Sequence, residues 1–269
     1  MHVSELYVYP IKSTRGIAVA SAQLVERGFQ LDRRWMLVDA DGVFISQREA
    51  HRMALIDVAV RDEALHVSAP GMEPLTIPLR ADGPLVRSRV WKDEVSAISV
   101  STEADQWFSA FLERSCRLVY MPDSTERVVD RDYVADDRLV GFADAFPLLI
   151  IGQGSLDRLN QELQSRGEAA VPMRRFRPNI VIADARPHEE DEWREIVIGD
   201  VPVDVVKPCA RCVVTTVDVS TGVAGREPLR TLARYRKRGS KVLFGQNAVH
   251  RAQKPIARGD AVRVVSRRG

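Results

Sequence analysis

Cysteine is scarce in this 269-residue chain, which contains only Cys116, Cys209 and Cys212. Three thiols are too few for a disulfide framework, a four-cysteine zinc site or an iron–sulfur cluster held by cysteine alone. Long apolar runs are also missing, since no stretch approaches the roughly 20 consecutive apolar residues that a membrane helix needs. Residues 1–5 lack the basic and apolar segments of a signal peptide. We therefore expect a cytoplasmic protein without a membrane partner.

Lysine is scarce as well: it supplies six of the 39 cationic residues, and arginine supplies the other 33. The planar guanidinium of arginine suits bidentate binding of phosphate and carboxylate groups, although a high arginine total by itself also reflects genomic composition. A nucleic-acid-binding surface needs a basic excess on one segment. Here the 37 acidic residues are interspersed nearly everywhere, and the formal net charge is only +2. We expect no nucleic-acid partner.

Short segments of β-branched and aromatic residues, separated by turns, fill the first hundred residues. Residues 39–42 between two of these segments end in the Asp-Gly pair that favours a hairpin. The close spacing predicts an antiparallel barrel or sandwich. The predicted strands lie at 5–9, 17–26, 35–38, 43–45, 55–60, 65–67, 75–77, 85–90 and 95–100.

The remainder of the chain mixes helices with strands. A helical period covers 101–115, with Thr102 as the predicted N-terminal cap. The polar segment 122–137 has no clear period, so we place a domain boundary near residue 121. Helices are predicted to begin at residue 154 and to cover 226–236, and strands are predicted at 117–121, 148–151, 179–183, 196–198, 202–206, 212–219, 242–244 and 261–265. The pattern predicts an α+β fold dominated by β, with domains at 1–121 and 122–269.

The segment 207–218 contains the pair Cys209 and Cys212, separated by two residues. A thioredoxin-type pair precedes a helix, whereas Val-Val-Thr-Thr-Val after Cys212 favours a strand. A zinc half-site needs two further ligands, for which only Cys116 and five scattered histidines are available. From spacing alone, zinc binding, a redox dithiol, a thiolate on a single metal and a plain buried cysteine all stay open.

This segment resembles the cysteine signature of the MOSC family, the domain found at the C-termini of molybdenum-cofactor sulfurases. The resemblance spans nearly the whole chain, and bacterial relatives of the mitochondrial amidoxime-reducing component form the most similar subgroup. It implies an N-terminal β-barrel domain packed beside a β-rich MOSC domain, with a cofactor between them. Further matches follow in the family's order: Leu-Tyr-Val-Tyr-Pro-Ile-Lys-Ser at 6–13, Leu-Asp-Arg-Arg-Trp at 31–35, Arg-Phe-Arg-Pro-Asn-Ile-Val-Ile at 175–182 and Phe-Gly-Gln at 244–246.

The resemblance implies a molybdenum–pterin cofactor of the molybdopterin type, with Cys212 as the metal ligand and catalytic residue. A soft thiolate suits this metal, and Arg211 beside it is expected to lower the thiol pKa. Cys209 maps onto a position that does not bind the metal, and we expect a small buried residue there. The expected cofactor-binding residues are Lys12, Ser13 and Arg33 for the phosphate, and Arg177, Asn179 and Arg211 nearer the pterin. Arg48 is left open between a phosphate contact and a surface position.

The function that the resemblance implies is the reduction of N-hydroxylated small molecules at molybdenum. Some bacterial members carry an added ferredoxin-type domain, whose cysteines this sequence lacks. We therefore expect a separate electron-donor protein, such as a reductase or a small iron–sulfur or haem carrier. Two alternatives stay open: a sulfur carrier or cofactor-binding module that uses a persulfide on Cys212, and a degenerate site without cofactor.

Overall fold

The computed structural model describes residues 1–134 and 136–269, and strands account for 40% of the chain against 17% for helices. The predicted α+β class dominated by β is confirmed. The strands of the first half are β1 (His2–Val8), β2 (Ile17–Val19), β3 (Ser21–Val25), β4 (Gly28–Phe29), β5 (Trp35–Val38), β6 (Asp57–Arg61), β7 (Ala64–Ser68), β8 (Leu75–Pro78), β9 (Leu85–Val90), β10 (Asp93–Ser99) and β11 (Arg117–Tyr120). Those of the second half are β12 (Leu148–Gly152), β13 (Ile180–Ala183), β14 (Trp193–Ile198), β15 (Val201–Arg211), β16 (Lys237–Arg238), β17 (Lys241–His250), β18 (Pro255–Ala257) and β19 (Val262–Arg267).

The described α-helices are α1 (Thr102–Leu112), α2 (Gln153–Gln164) and α3 (Leu229–Tyr235). Ser101, not Thr102, caps α1: it is extended, and its hydroxyl accepts a hydrogen bond from the amide of Ala104. The predicted cap was wrong by one residue. Within the described part of the chain, no helix has the length and apolar character that crossing a membrane requires. Short 3₁₀ segments cover His51–Leu55, Met173–Phe176, Glu189–Asp191 and Val213–Thr216.

The largest sheet runs in the order β19-β14-β15-β17-β12-β13-β1-β2, with β16 paired to β17. Its N-terminal strand β1 pairs antiparallel with β13, so the end of β1 lies beside the start of β13. Residues that follow β1 are therefore held next to residues that precede β13. This pairing brings a segment near residue 10 against a segment near residue 178, and both segments contain predicted site residues.

The other strands form smaller sheets, in the orders β5-β11-β10-β9, β6-β7-β8 and β18-β3-β4. The buried side chains of Trp35, Leu37, Phe108 and Phe111 share one core in the first half, against which α1 packs. This core, separate from that of the large sheet, fixes the loops that carry Arg33 and Arg48.

The predicted strand at 212–219 is wrong. Strand β15 runs to Arg211, and a 3₁₀ turn at Val213–Thr216 follows Cys212. The hydroxyl of Thr215 donates to the carbonyl of Cys212 at 3.0 Å, and that of Thr216 donates to the carbonyl of Val213 at 2.8 Å. These side chains compensate backbone acceptors inside a tight turn, which offsets the preference of β-branched residues for a strand. Cys212 therefore lies where an extended strand changes into a turn.

Candidate cofactor site

A cleft between the two halves of the molecule brings together every residue that the sequence indicated for the cofactor. It is lined by Lys12, Ser13, Arg33, Arg177, Asn179, Arg211 and Cys212. Arg48, which the sequence left open, lines the same cleft, as do Asp144, Cys209 and Asn247. The structure thus places the predicted residues together, while the role of each one stays a prediction.

Asn179 holds three chain segments at the base of the cleft. Its side-chain nitrogen donates to the carbonyl of Tyr7 (3.2 Å) and to Asp32 (3.1 Å), and its oxygen accepts from Arg33 (2.9 Å) and from the amide of Leu149 (3.2 Å). The residue is 1% exposed. With its amide engaged in four hydrogen bonds, Asn179 orients Arg33 toward the cleft.

Arg33 and Arg177 both lie against the ring of Tyr9. Their guanidinium carbons are 4.2 and 4.3 Å from the ring centroid, which is the range of a cation–π contact. Ser13, Arg33 and Arg177 all have positive φ angles (69°, 48° and 55°), an uncommon conformation for residues with a side chain. Backbone strain of this kind persists only where surrounding contacts enforce it, and it is concentrated at functional sites.

Burial raises the pKa of Tyr9 to about 12, although Arg177 and Arg33 oppose the shift. Tyr9 therefore stays a neutral phenol, and its hydroxyl donates to the carbonyl of Pro178 at 3.0 Å. This bond fixes the turn that carries Arg177. Sequence reasoning missed Tyr9, although it lies in the motif at 6–13 that was singled out.

Lys12 is a buried cation at one wall of the cleft. Its ammonium donates to the carbonyl of Phe142 at 2.7 Å and to Asp144 at 2.5 Å. Burial lowers the pKa of Lys12 to about 8, even though Asp144 favours the charged form. Burial, followed by the charge of Arg33, likewise lowers the pKa of Arg177 to about 10. Both cations lack the hydration that an exposed charge has.

Arg211 contacts Cys209 rather than Cys212. One of its terminal nitrogens donates to the sulfur of Cys209 at 3.0 Å, and the other donates to the carbonyl of Phe176 at 2.5 Å. Alternate side chains of a strand share a face, so positions 209 and 211 of β15 point the same way. Arg211 therefore contacts the thiol two positions before it in sequence and not the adjacent thiol of Cys212. Both Cys209 and Cys212 are half-buried free thiols, so the expectation of a buried residue at position 209 was wrong.

The donors of the cleft fit an anionic ligand. Among the described residues, two buried guanidinium nitrogens of cleft residues, Nη2 of Arg177 and Nε of Arg211, have no hydrogen-bond partner. A buried donor without a partner is costly, and a phosphate or another anion would compensate it. Five cationic side chains line the cleft: Lys12, Arg33, Arg48, Arg177 and Arg211. The thiol of Cys212 supplies a soft ligand in the same cleft, so the residues present also fit a metal-bearing group.

Comparison with known proteins identifies the family. Residues 1–115 match the MOSC N-terminal beta barrel domain, and residues 137–263 match the MOSC domain. The Mus musculus protein named Mitochondrial amidoxime-reducing component 1 is 37% identical over 246 residues, covering 87% of this chain and 71% of that protein. The Homo sapiens protein of the same name is 32% identical over 281 residues, covering 97% and 82%. The Homo sapiens Molybdenum cofactor sulfurase is 31% identical over 267 residues, covering 92% of this chain and 30% of that protein.

This chain therefore belongs to the MOSC-domain family and contains the family's N-terminal β-barrel domain. Within that family, the mitochondrial amidoxime-reducing components are its relatives over most of its length. Four of the five segments that predicted this membership, at 6–13, 31–35, 175–182 and 207–218, contribute lining residues to the cleft, whereas none of the residues 244–246 lines it.

Proposed function

We propose that this protein is an oxidoreductase that holds a molybdenum–pterin cofactor in the cleft. It would reduce N-hydroxylated small molecules with electrons from a separate donor protein, in the cytoplasm. The observation that carries the proposal is the meeting of the half-buried thiol of Cys212 with five cationic side chains, of which Arg177 and Arg211 each have a buried donor without a partner among the described residues. The names of its relatives, amidoxime-reducing components and a molybdenum cofactor sulfurase, support the same chemistry.

Each side of the cleft suits one part of such a cofactor. The thiolate of Cys212 would be the protein's ligand to the metal. Lys12, Ser13 and Arg33 would bind the phosphate, while Arg177, Asn179 and Arg211 would hold the pterin side. When bound, the cofactor would supply the redox chemistry, and the chain's own residues would supply binding, orientation and electrostatics.

The chain's residues are arranged to keep a charged ligand in one place. Lys12 keeps its proton between the carbonyl of Phe142 and Asp144, so its ammonium is fixed before any ligand arrives. Arg33 and Arg177 are restrained by Tyr9 and by their own backbone. Because these cations are poorly hydrated, their attraction for a phosphate is stronger than it would be in bulk water.

The first test compares Cys212→Ser with the matched variant Cys209→Ser, both expressed with ample molybdate in a host that makes the cofactor. The wild-type protein should contain about one molybdenum and one pterin per chain and reduce an amidoxime with a chemical reductant. Cys212→Ser should lose the metal and more than about 100-fold of the activity. Cys209→Ser should keep both within a few-fold. Full activity in Cys212→Ser would refute the assignment of the ligand.

A sulfur-carrier role is the second candidate, and the pairing of Cys209 with Cys212 in one cleft favours it. A persulfide on Cys212 would lie beside a second thiol that Arg211 contacts. Sulfane sulfur on Cys212, with neither molybdenum nor pterin in a competent host, would support this role and exclude the reductase.

A further inference from the structure

A second cleft adjoins the cofactor cleft and shares Arg177 and Val214 with it. Its volume is about 190 Å³, well above the roughly 10–15 Å³ that one water requires. The second cleft lies between the N-terminal half, which contributes Arg15 and Gln47, and the second half, which contributes the turn at Met173–Phe176. It is therefore large enough for a small ligand and is built from both halves.

Arginine dominates the lining of this second cleft. Four arginines line it, and none of its described lining residues carries a carboxylate. Three of the four come from one short stretch of chain: Arg174, Arg175 and Arg177. Such a concentration of guanidinium groups favours an anion over a neutral or cationic ligand.

Only part of this positive charge is compensated by the protein. Arg15 pairs with Asp57 at 2.8 Å and donates to the carbonyls of Ala54 and Val219. Arg175 pairs with Asp218 at 2.6 Å and donates to the carbonyl of Thr216. Arg15 and Arg175 thus each have a carboxylate partner, and no carboxylate within 4 Å faces the remaining two arginines among the described residues.

Donors are also left over in this lining. The Nε atom of Arg175 and the Nη2 atom of Arg177 are buried without a hydrogen-bond partner among the described residues. Arg174 is exposed and makes no side-chain hydrogen bond or ion pair to any described residue. Unpartnered buried donors beside an exposed cation form an arrangement that a tetrahedral oxyanion would complete.

We propose that this second cleft is a binding site for a phosphate-type oxyanion, free or carried by a small molecule. The site shares Arg177 with the proposed cofactor contacts, but neither Lys12 nor Cys212 lines it. The proposal therefore does not rest on the proposed function. A phosphate-bearing ligand could occupy this cleft while the neighbouring cleft is filled, with Arg177 between the two.

The test uses inorganic phosphate as the probe and cofactor-free protein at constant ionic strength, with binding measured by calorimetry and by the shift in Tm. Arg174→Gln removes a cation that lines only the second cleft and has no described partner, so folding is preserved. Arg194→Gln, at an exposed position on β14 away from both clefts, is the matched control. A double variant, Lys12→Ala with Arg48→Gln, weakens the cofactor cleft instead.

We expect Arg174→Gln to weaken phosphate binding at one site at least about fivefold, since a charge-assisted contact is lost. Arg194→Gln should bind phosphate as the wild type does, and the Lys12→Ala/Arg48→Gln variant should keep the site that Arg174 affects. The proposal would be overturned if Arg174→Gln matched Arg194→Gln. It would also be overturned if the Lys12→Ala/Arg48→Gln variant lost all phosphate binding.

Discussion

At the residue scale, Lys12 shows how the fold makes a cation available to a ligand. Burial removes the hydration of the ammonium. Phe142 and Asp144 accept two hydrogen bonds from it, and an ammonium group has three donors. The folded protein therefore pays a cost for keeping this ammonium charged, which an anion in the cleft would reduce. The Lys12 ammonium therefore favours the anion-bound protein over the ligand-free protein.

The lowered pKa of Lys12 predicts how stability depends on pH. Lys12 has a pKa of about 8 when folded, against an ordinary value of 10.5. Between these values the unfolded state binds more protons, so the free energy of unfolding rises with pH across this window. We therefore expect the free energy of unfolding of the wild type, minus that of Lys12→Met, to rise by up to about 3 kcal/mol from pH 8 to pH 10.5.

Urea denaturation of the cofactor-free proteins at several pH values measures this difference. Lys92→Met, at an exposed position, controls for the loss of a lysine that is not buried. If the free energies of unfolding of wild type and Lys12→Met changed in parallel between pH 8 and pH 10.5, burial would not lower the pKa of Lys12.

The sequence identified the cationic residues of the cleft but not their supports. Lys12, Arg33 and Arg177 lie in motifs whose order matched a family, so their meeting in one cleft followed from the resemblance. Asp144 could not be predicted as the partner of Lys12, because 132 positions separate them and only the tertiary fold brings them to 2.5 Å. Local patterns hold no information on such a contact.

At the element scale, the turn after Cys212 shows the limit of residue preference. All five residues from Val213 to Val217 are β-branched and predicted a strand, yet the hydroxyls of Thr215 and Thr216 donate to carbonyls earlier in the chain within a 3₁₀ turn. Strand β15 was predicted as 202–206 but continues to Arg211, since β17 offers a long partner. Boundaries that depend on a distant partner strand are not encoded locally.

The hairpin between β6 and β7 provides a stability prediction. Arg61 pairs with Ala64, and the two linking residues, Asp62 and Glu63, both have positive φ angles (51° and 53°). This is the conformation of a type I′ turn, in which glycine is favoured at the second position. Glu63→Gly should therefore raise the free energy of unfolding by about 0.5–1 kcal/mol.

Glu103→Gly is the matched control for this substitution. Glu103 is an exposed residue in the first turn of α1, where glycine is expected to lower the free energy of unfolding by up to about 1 kcal/mol. Chemical denaturation of both variants measures the effects. A loss of stability in Glu63→Gly equal to that in Glu103→Gly would contradict the conformational argument.

At the scale of the whole molecule, the two halves share their sheets. β1 lies in the large sheet beside β13, and β3 pairs with β18 near the end of the chain. The division into domains at 1–121 and 122–269 stays a proposal about organisation along the sequence. Strands from both sides of residue 121 pair directly. Either part alone would therefore have strand edges whose N–H and C=O groups lack a pairing partner.

This sharing predicts a single cooperative unfolding transition. Trp35 lies in the core of the first half and Trp193 in the core of the large sheet, and both are fully buried. We consider two variants, one with Trp35 and one with Trp193 as the sole tryptophan. In each variant the fluorescence midpoint in urea should coincide with the circular-dichroism midpoint of that same variant, as for a two-state protein. Circular dichroism reports the unfolding of the whole chain, so its midpoint is the reference for the fluorescence midpoint of each variant. A fluorescence midpoint for Trp35 clearly displaced from the circular-dichroism midpoint of the same variant would mean that the N-terminal half unfolds separately. The cofactor cleft would then lie between two independently stable bodies rather than within one.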